Sequence, residues 1–340
     1  MKSLSVQSIM LQVLLALIPA IGVHVILFGW GILVQILLAM AFALIFEGLA
    51  LWLRQRPIRV FLSDGSAILA ATLFALSIPP LSPWWVAFTG MFFAIIVAKQ
   101  LYGGIGHNVF NPAMVGFAVV IVAFPEALTH WLSPGYLSNA VPNFQATWET
   151  IFMGQLPASH SWDTLSQATP LDAIRTGLAN NQTLSEIQSN VMFGFMGSAG
   201  WEWVVLAYLI GGLYLLWRKV ISWHVPMAIL ATTVVLSSAG WVIDPDLFRS
   251  PSQQLFAGSL VMCAFFIATD PVSGASTPTG KIIFGMGTVV LTLAIRAWGG
   301  FPDGVAFAIL LMNMTVPLID HFTKPKAFGY QQSVGRGEER

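Results

Sequence analysis

Long apolar runs separated by short polar breaks make up most of this chain. Windows of about 20 apolar residues, the length that crosses a bilayer core as a helix, occur at ten places. They lie near 8–27, 30–53, 66–80, 84–101, 109–125, 202–218, 224–242, 254–270, 282–298 and 302–321. The third and fifth are short. Between the fifth and sixth lies a polar insert, 126–201, far longer than the roughly 4–6 residues of an ordinary connection. The pattern predicts an all-α polytopic membrane protein: a first membrane half 1–125, a loop 126–201, a second half 202–322 and a tail 323–340.

Five windows in each half is an odd number, so the second half enters the membrane from the opposite side. That is the arithmetic of an inverted-topology repeat. Gly65-Ser66-Ala67-Ile68-Leu69 and Gly258-Ser259-Leu260-Val261-Met262 open the third and eighth windows, which stop at Ser77-Ile78-Pro79-Pro80 and Asp270-Pro271. Short, proline-interrupted segments at corresponding places point to a central binding site or ion path. The plainer reading is that two apolar runs share small residues by coincidence.

Composition supports the membrane reading. The chain is 56% hydrophobic and 9% charged, with a mean hydropathy of +0.76, against about 25% charged in soluble domains. A formal net charge of zero supplies no electrostatic footprint for nucleic acid. The single cysteine, Cys263, forms no internal disulfide, and no Cys/His cluster suits zinc or an iron–sulfur centre. Any redox cofactor is therefore held in another way. Lys2 followed by an apolar run reads as a retained first helix, not a removed signal.

Charge also orients the chain. With the N-terminus in the cytoplasm, Lys2, Arg54, Arg56, Arg59, Lys99, Arg218, Lys219, Lys281, Lys324, Lys326, Arg336 and Arg340 lie inside. Only Arg175, Arg249 and Arg296 lie outside, a clear positive-inside bias. Both termini are then cytoplasmic and the loop 126–201 is exterior.

Within that loop, Asp163-Thr164-Leu165-Ser166-Gln167-Ala168-Thr169-Pro170-Leu171-Asp172 offers a hydroxyl at the end of a small-residue turn, within reach of a modifying enzyme. The plainer reading makes Thr169 a helix cap and Pro170 the first helical residue. Gly103-Gly104-Ile105-Gly106-His107-Asn108 lacks the βαβ setting of a dinucleotide fingerprint and reads as irregular backbone tucked between helices. Asp270-Pro271-Val272-Ser273-Gly274-Ala275-Ser276-Thr277 suits phosphate or flavin contacts and a helix-ending turn equally. Glu47 sits inside the second window, a functional candidate by default, unless its side chain snorkels to the nearby surface. His24 and His224 read as interfacial polar groups, and the scattered Met and Trp as packing and interface belts.

These stretches together resemble the D-component family of the Rnf (Rsx) electron-transport complex and, more distantly, the B component of the sodium-pumping NADH:quinone oxidoreductase. The resemblance covers essentially the whole chain. It is carried by Phe61-Leu62-Ser63-Asp64-Gly65-Ser66 with Ser77-Ile78-Pro79-Pro80, by Gly103 to Ala113, and by Ala268-Thr269-Asp270-Pro271-Val272-Ser273. It implies an FMN whose phosphate is esterified to a threonine in a pattern like Asp-x-x-Ser/Thr-Gly-Ala-Thr/Ser, attached by a flavin transferase outside the cytoplasm. Asp163, Ser166, Ala168 and Thr169 match that pattern, with Gln167 where glycine is usual. Asp270 to Ser276 fits the written pattern better but faces the cytoplasm, so Thr169 is the expected attachment residue. The resemblance further implies partner subunits carrying flavins and iron–sulfur centres, and electron transfer between ferredoxin and NADH coupled to Na⁺ or H⁺ movement. It allows a second, non-covalent flavin. Asp64, Asp270 and Glu47 are the candidate ion-path residues. The bacterial inner membrane is the expected location. The rival reading is a solute channel or permease, which the spans and broken segments suit equally but which has no use for the loop pattern.

Overall fold

The computed structural model describes residues 5–138, 141–156, 161–301 and 303–324. The tail from 325 onward, with Lys326, Arg336 and Arg340, lies outside the described residues. The described residues form helices and turns and no strand; their one β-bridge joins Leu132 to Ser166. This is an all-α polytopic membrane protein.

Each of the ten apolar windows holds helix. In the first half these are α1 (Val6–Phe28), α2 (Gly31–Leu53), α3 (Ser66–Ala75), α4 (Trp84–Gln100) and α5 (Pro112–Ala123). The loop carries α6 (Phe144–Met153), α7 (Pro170–Ala179) and α8 (Leu184–Gln188). The second half has α9 (Trp201–Trp217), α10 (His224–Ile243), α11 (Pro251–Phe256), α12 (Leu260–Met262, continued by a π turn over Cys263–Ile267), α13 (Pro278–Trp298) and α14 (Val305–Thr323). Five of them, α1, α2, α10, α13 and α14, are long and apolar enough to cross a membrane unaided.

The short windows are interrupted helices. Ten residues of α3 rise about 15 Å, half of a bilayer core of about 30 Å. The eighth window breaks in two: α11 ends at Phe256 and α12 starts at Leu260. Both interruptions come earlier than the prolines suggest, since α3 stops at Ala75, ahead of Pro79. Near the break after α12, Asn111 Nδ2 donates to the carbonyl of Ile267 (3.3 Å), and Asn313 Nδ2 donates to that of Ser273 (2.9 Å). Irregular backbone at membrane depth is tolerable only when its polar groups are satisfied in this way.

Lipid supplies no hydrophobic drive between helices, so close packing holds them together. α1 runs along α9, α5 touches α14, and α10, α13 and α14 pack in sequence. The α1–α9 contact depends on Gly211, where an added Cβ would lie 2.1 Å from the carbonyl oxygen of Ala16. Phe28, Phe74, Phe265 and Phe284 fill the interior.

The interior corrects one expectation and removes one alternative. His24 is not interfacial: it is 1% exposed, packed against Phe28 and Trp201, and its Nδ1 has no partner. Glu47 does not snorkel, being 1% exposed. In both cases a neighbouring helix covers the face that sequence alone would leave at the edge.

Candidate functional site

The loop folds onto the end of the bundle where α1 meets α2. Trp30 meets Phe144 edge-on, and Leu184 N and Ser185 Oγ donate to Asp246, which follows α10 (3.1 and 2.7 Å). The candidate motif is pinned from one side. Gln167 N donates to Trp131 O (2.9 Å), Ser133 N to Leu165 O (3.1 Å), and Ser133 Oγ to Gln167 Oε1 (3.0 Å). Gln167 thus performs a side-chain role that glycine cannot, and its φ is not positive, so the position does not require glycine. Ser166 Oγ donates to Trp162 O (2.7 Å). Asp163 belongs to the short helix Trp162–Leu165, and its side chain lies outside the described residues.

Thr169 caps α7. Its Oγ1 accepts from Asp172 N (3.2 Å), and Pro170 takes the first helical position, where its missing N–H costs nothing. The amphipathic α7 buries Leu171 and Ile174, and Ile174 packs with Leu184 and Ile187 of α8. Beside Thr169 opens a cavity of about 180 Å³. Trp131, Trp201, Phe117, Met114 and Tyr208 line it, and it extends past Leu76, Ser77 and Ile267, at the ends of α3 and α12. Trp131 and Trp201 meet edge-on at 5.3 Å. Ala168 and Gln167 line a smaller neighbouring recess that also includes Thr169.

Asp303 and Ser259 belong to the wall of the same cavity. Ser259 lies in the Gly258-to-Met262 stretch that opens the eighth window, whereas no motif marked Asp303. Asp303 lies in the turn between α13 and α14 and pairs with Arg296 Nη2 at 3.1 Å. Burial pushes its carboxyl upward, but Arg296 and the two bonds from Ser259 outweigh this and hold it below the usual carboxylate range. Arg249 is buried close by, with its Nη1 unpartnered; burial and the charge of Arg296 bring it down to about 10. For Arg249, Arg296 and Asp303 the sequence signal is their place at the edges of apolar windows.

The ion-path candidates divide. Lys99 Nζ donates to Glu47 Oε1 (2.5 Å) and to Ser66 Oγ (2.7 Å), while Ser66 N and Oγ donate to Asp64 Oδ1 (2.7 and 2.5 Å). Gln100 Nε2 also donates to Glu47 Oε1, and Glu47 Oε2 has no partner. Lys99 and Gln100 close the π-helical part of α4, Phe92–Gln100, and π turns recur at functional sites. Asp270 stands in a separate turn, accepting from Val272 N and Ser273 Oγ. Ser276, at the end of the better-fitting second pattern, donates its hydroxyl to Asp320 (2.8 Å) and is not on the cavity wall.

A sequence profile of the NQR2, RnfD, RnfE family matches residues 1–329. The chain belongs to that family. Among curated relatives, the D component of the ion-translocating oxidoreductase complex from Yersinia pseudotuberculosis serotype O:1b (strain IP 31758) is 46% identical over 334 residues, covering 96% of this chain and 95% of that one. The protein of the same name from Escherichia coli O127:H6 (strain E2348/69 / EPEC) is 46% identical over 332 residues, covering 95% and 94%. The family match takes in both membrane halves and the loop with its cavity.

Proposed function

We propose that this protein is the membrane subunit of an ion-translocating oxidoreductase complex and relays electrons through an FMN joined by a phosphoester to Thr169. The observation that carries this reading is that Thr169 is at once the cap of α7 and part of the cavity wall. Both halves of the ligand suit that position. A phosphoryl group at a helix N-terminus meets the positive end of the dipole; at α7 Pro170 has no N–H and those of Asp172 and Ala173 donate to Thr169, so the dipole is the main attraction. A flat aromatic ring suits a wall of Trp131, Trp201 and Phe117. When bound, the flavin supplies the redox chemistry; the chain holds it, screens it from water and sets its surroundings. A covalent tether keeps the ring at high effective concentration without a separate binding affinity.

In this reading the loop end faces away from the cytoplasm, as the lysine and arginine bias favours, and the two halves are related by inversion. Contacts of α1 with α9 and of α5 with α14 support the inversion, because first packs on first-equivalent and fifth on fifth-equivalent. Partner subunits with flavins and iron–sulfur centres exchange electrons between ferredoxin and NADH, and Na⁺ or H⁺ crosses past Glu47, Asp64 and Asp270. Replacing Asp270 by Asn while ion transport stays at its full rate would count against the last assignment.

The test is peptide mass spectrometry of membrane-extracted protein co-expressed with a flavin transferase. FMN minus one water is expected on the peptide containing Thr169 and absent from Thr169→Ala. An adduct at Ser276 would reverse the orientation, and no adduct at all would favour a permease.

A further inference from the structure

The wall of the cavity beside Thr169 is apolar over most of its extent, and among the described residues its one charged group is Asp303. Five protein donors hold that carboxylate. Oδ1 accepts from Arg296 Nε (3.3 Å), Arg296 Nη2 (3.1 Å) and Val305 N (3.4 Å). Oδ2 accepts from Ser259 N (2.9 Å) and Ser259 Oγ (2.7 Å). Arg296, whose side chain is 1% exposed, is itself fixed through Nη1 to the backbone and side-chain oxygens of Gln254 (2.9 and 2.8 Å). The Asp303 side chain nonetheless keeps 26% exposure, and the cavity is the space it borders. At Gly258 an added Cβ would lie 2.3 Å from Arg296 Nη2, 2.9 Å from Asp303 Oδ2 and 2.8 Å from Leu171 Cδ1. The cluster therefore abuts the residue two positions after Thr169.

We propose that Asp303, oriented by Arg296 and Ser259, is the fixed charge beside the flavin tethered at Thr169 and lowers its reduction potential. This rests on the covalent-flavin reading above and adds to it a named residue with a direction of effect. Five protein donors already occupy the two oxygens of Asp303, so it acts on the ring as a fixed, oriented charge and not through a spare lone pair. Reduction adds electrons to the ring. A fixed negative charge nearby in a low-dielectric site opposes that change, and the donors from Arg296 and Ser259 temper it.

The experiment is a redox titration of the full chain, flavinylated in membranes by a co-expressed flavin transferase and followed by visible flavin absorbance. Intact mass reports attachment in parallel. Asp303→Asn is expected to keep the adduct and raise the potential by about 30 mV, a tenfold change in the ratio of reduced to oxidised flavin for a two-electron couple. Ser259→Ala removes a donor from the carboxylate while leaving the Arg296 pair in place, so it is expected to shift the potential the other way. A purely structural role gives no such opposition of sign. Flavinylated variants whose potentials are unchanged, or shift in the same direction, overturn the proposal and leave the Thr169 attachment standing. If Asp303→Asn fails to accumulate, Ser259→Ala decides alone: a lowered potential supports the proposal and an unchanged one overturns it. No adduct on the unsubstituted chain removes the attachment, and this inference with it.

Discussion

The two halves of the chain each open an interrupted helix with the same device and use it differently. At α3, Ser66 gives both its N–H and its hydroxyl to one oxygen of Asp64, with Lys99 from the end of α4 against the hydroxyl. At α12, Ser259 gives both groups to one oxygen of Asp303, with Arg296 from the end of α13 against the carboxylate. In the first half a further carboxylate, Glu47, completes the cluster, and Lys99 is 3% exposed. In the second half Asp303 serves both serine and base, and its exposed edge borders the cavity beside Thr169. A base with its own carboxylate is shut away from the cavity; a base that shares one keeps that carboxylate at the cavity's edge.

The largest expected effect breaks the closed cluster. Lys99→Met leaves Glu47 charged, buried and unpaired, which costs about 3–5 kcal/mol. Thermal unfolding in detergent should show a large loss of stability, and adding Glu47→Gln should restore more than half of it. Failure of the double variant to recover would mean that Lys99 acts through something other than Glu47.

The glycines sharpen the contrast. Gly65 has φ +79° with only Met10 Cβ near an added methyl, at 3.4 Å, whereas Gly258 is crowded by Arg296, Asp303 and Leu171. Gly258→Ala should cost about 1–3 kcal/mol by overpacking and disturb the cavity. Gly65→Ala should cost about 1–2 kcal/mol by left-handed strain with the cavity intact. Flavin loading read alongside stability separates the two: loading should fall only in Gly258→Ala.

Acid titration probes the open cluster by itself. Asp303 is held below the usual carboxylate range, so its contribution is present above the unfolded value of about 3.9 and is lost as pH falls through the folded value. The stability gap between the unsubstituted protein and Asp303→Asn should therefore be full at neutral pH and shrink below about pH 4. A gap that stays constant with pH would mean that the aspartate contributes by shape alone. The smallest effect concerns the cap of α7. In the absence of flavin, Thr169→Ala should cost about 1 kcal/mol and Thr169→Ser almost nothing, measured by urea unfolding.

The sequence by itself determined the membrane class and the ten apolar windows, because a bilayer demands long apolar runs whose length is a local property. It also determined that Thr169 caps a helix beginning at Pro170, since capping needs only neighbours within three residues. Tertiary structure alone decided where the windows break, how the polar groups beside the break after α12 are satisfied by Asn111 and Asn313, and that His24 and Glu47 are interior. It alone brought Ser259 to Asp303, 44 positions away, and both to the cavity beside Thr169. Burial and pairing depend on which faces meet, and meeting faces belong to residues far apart in the chain, so no spacing within one segment could encode them.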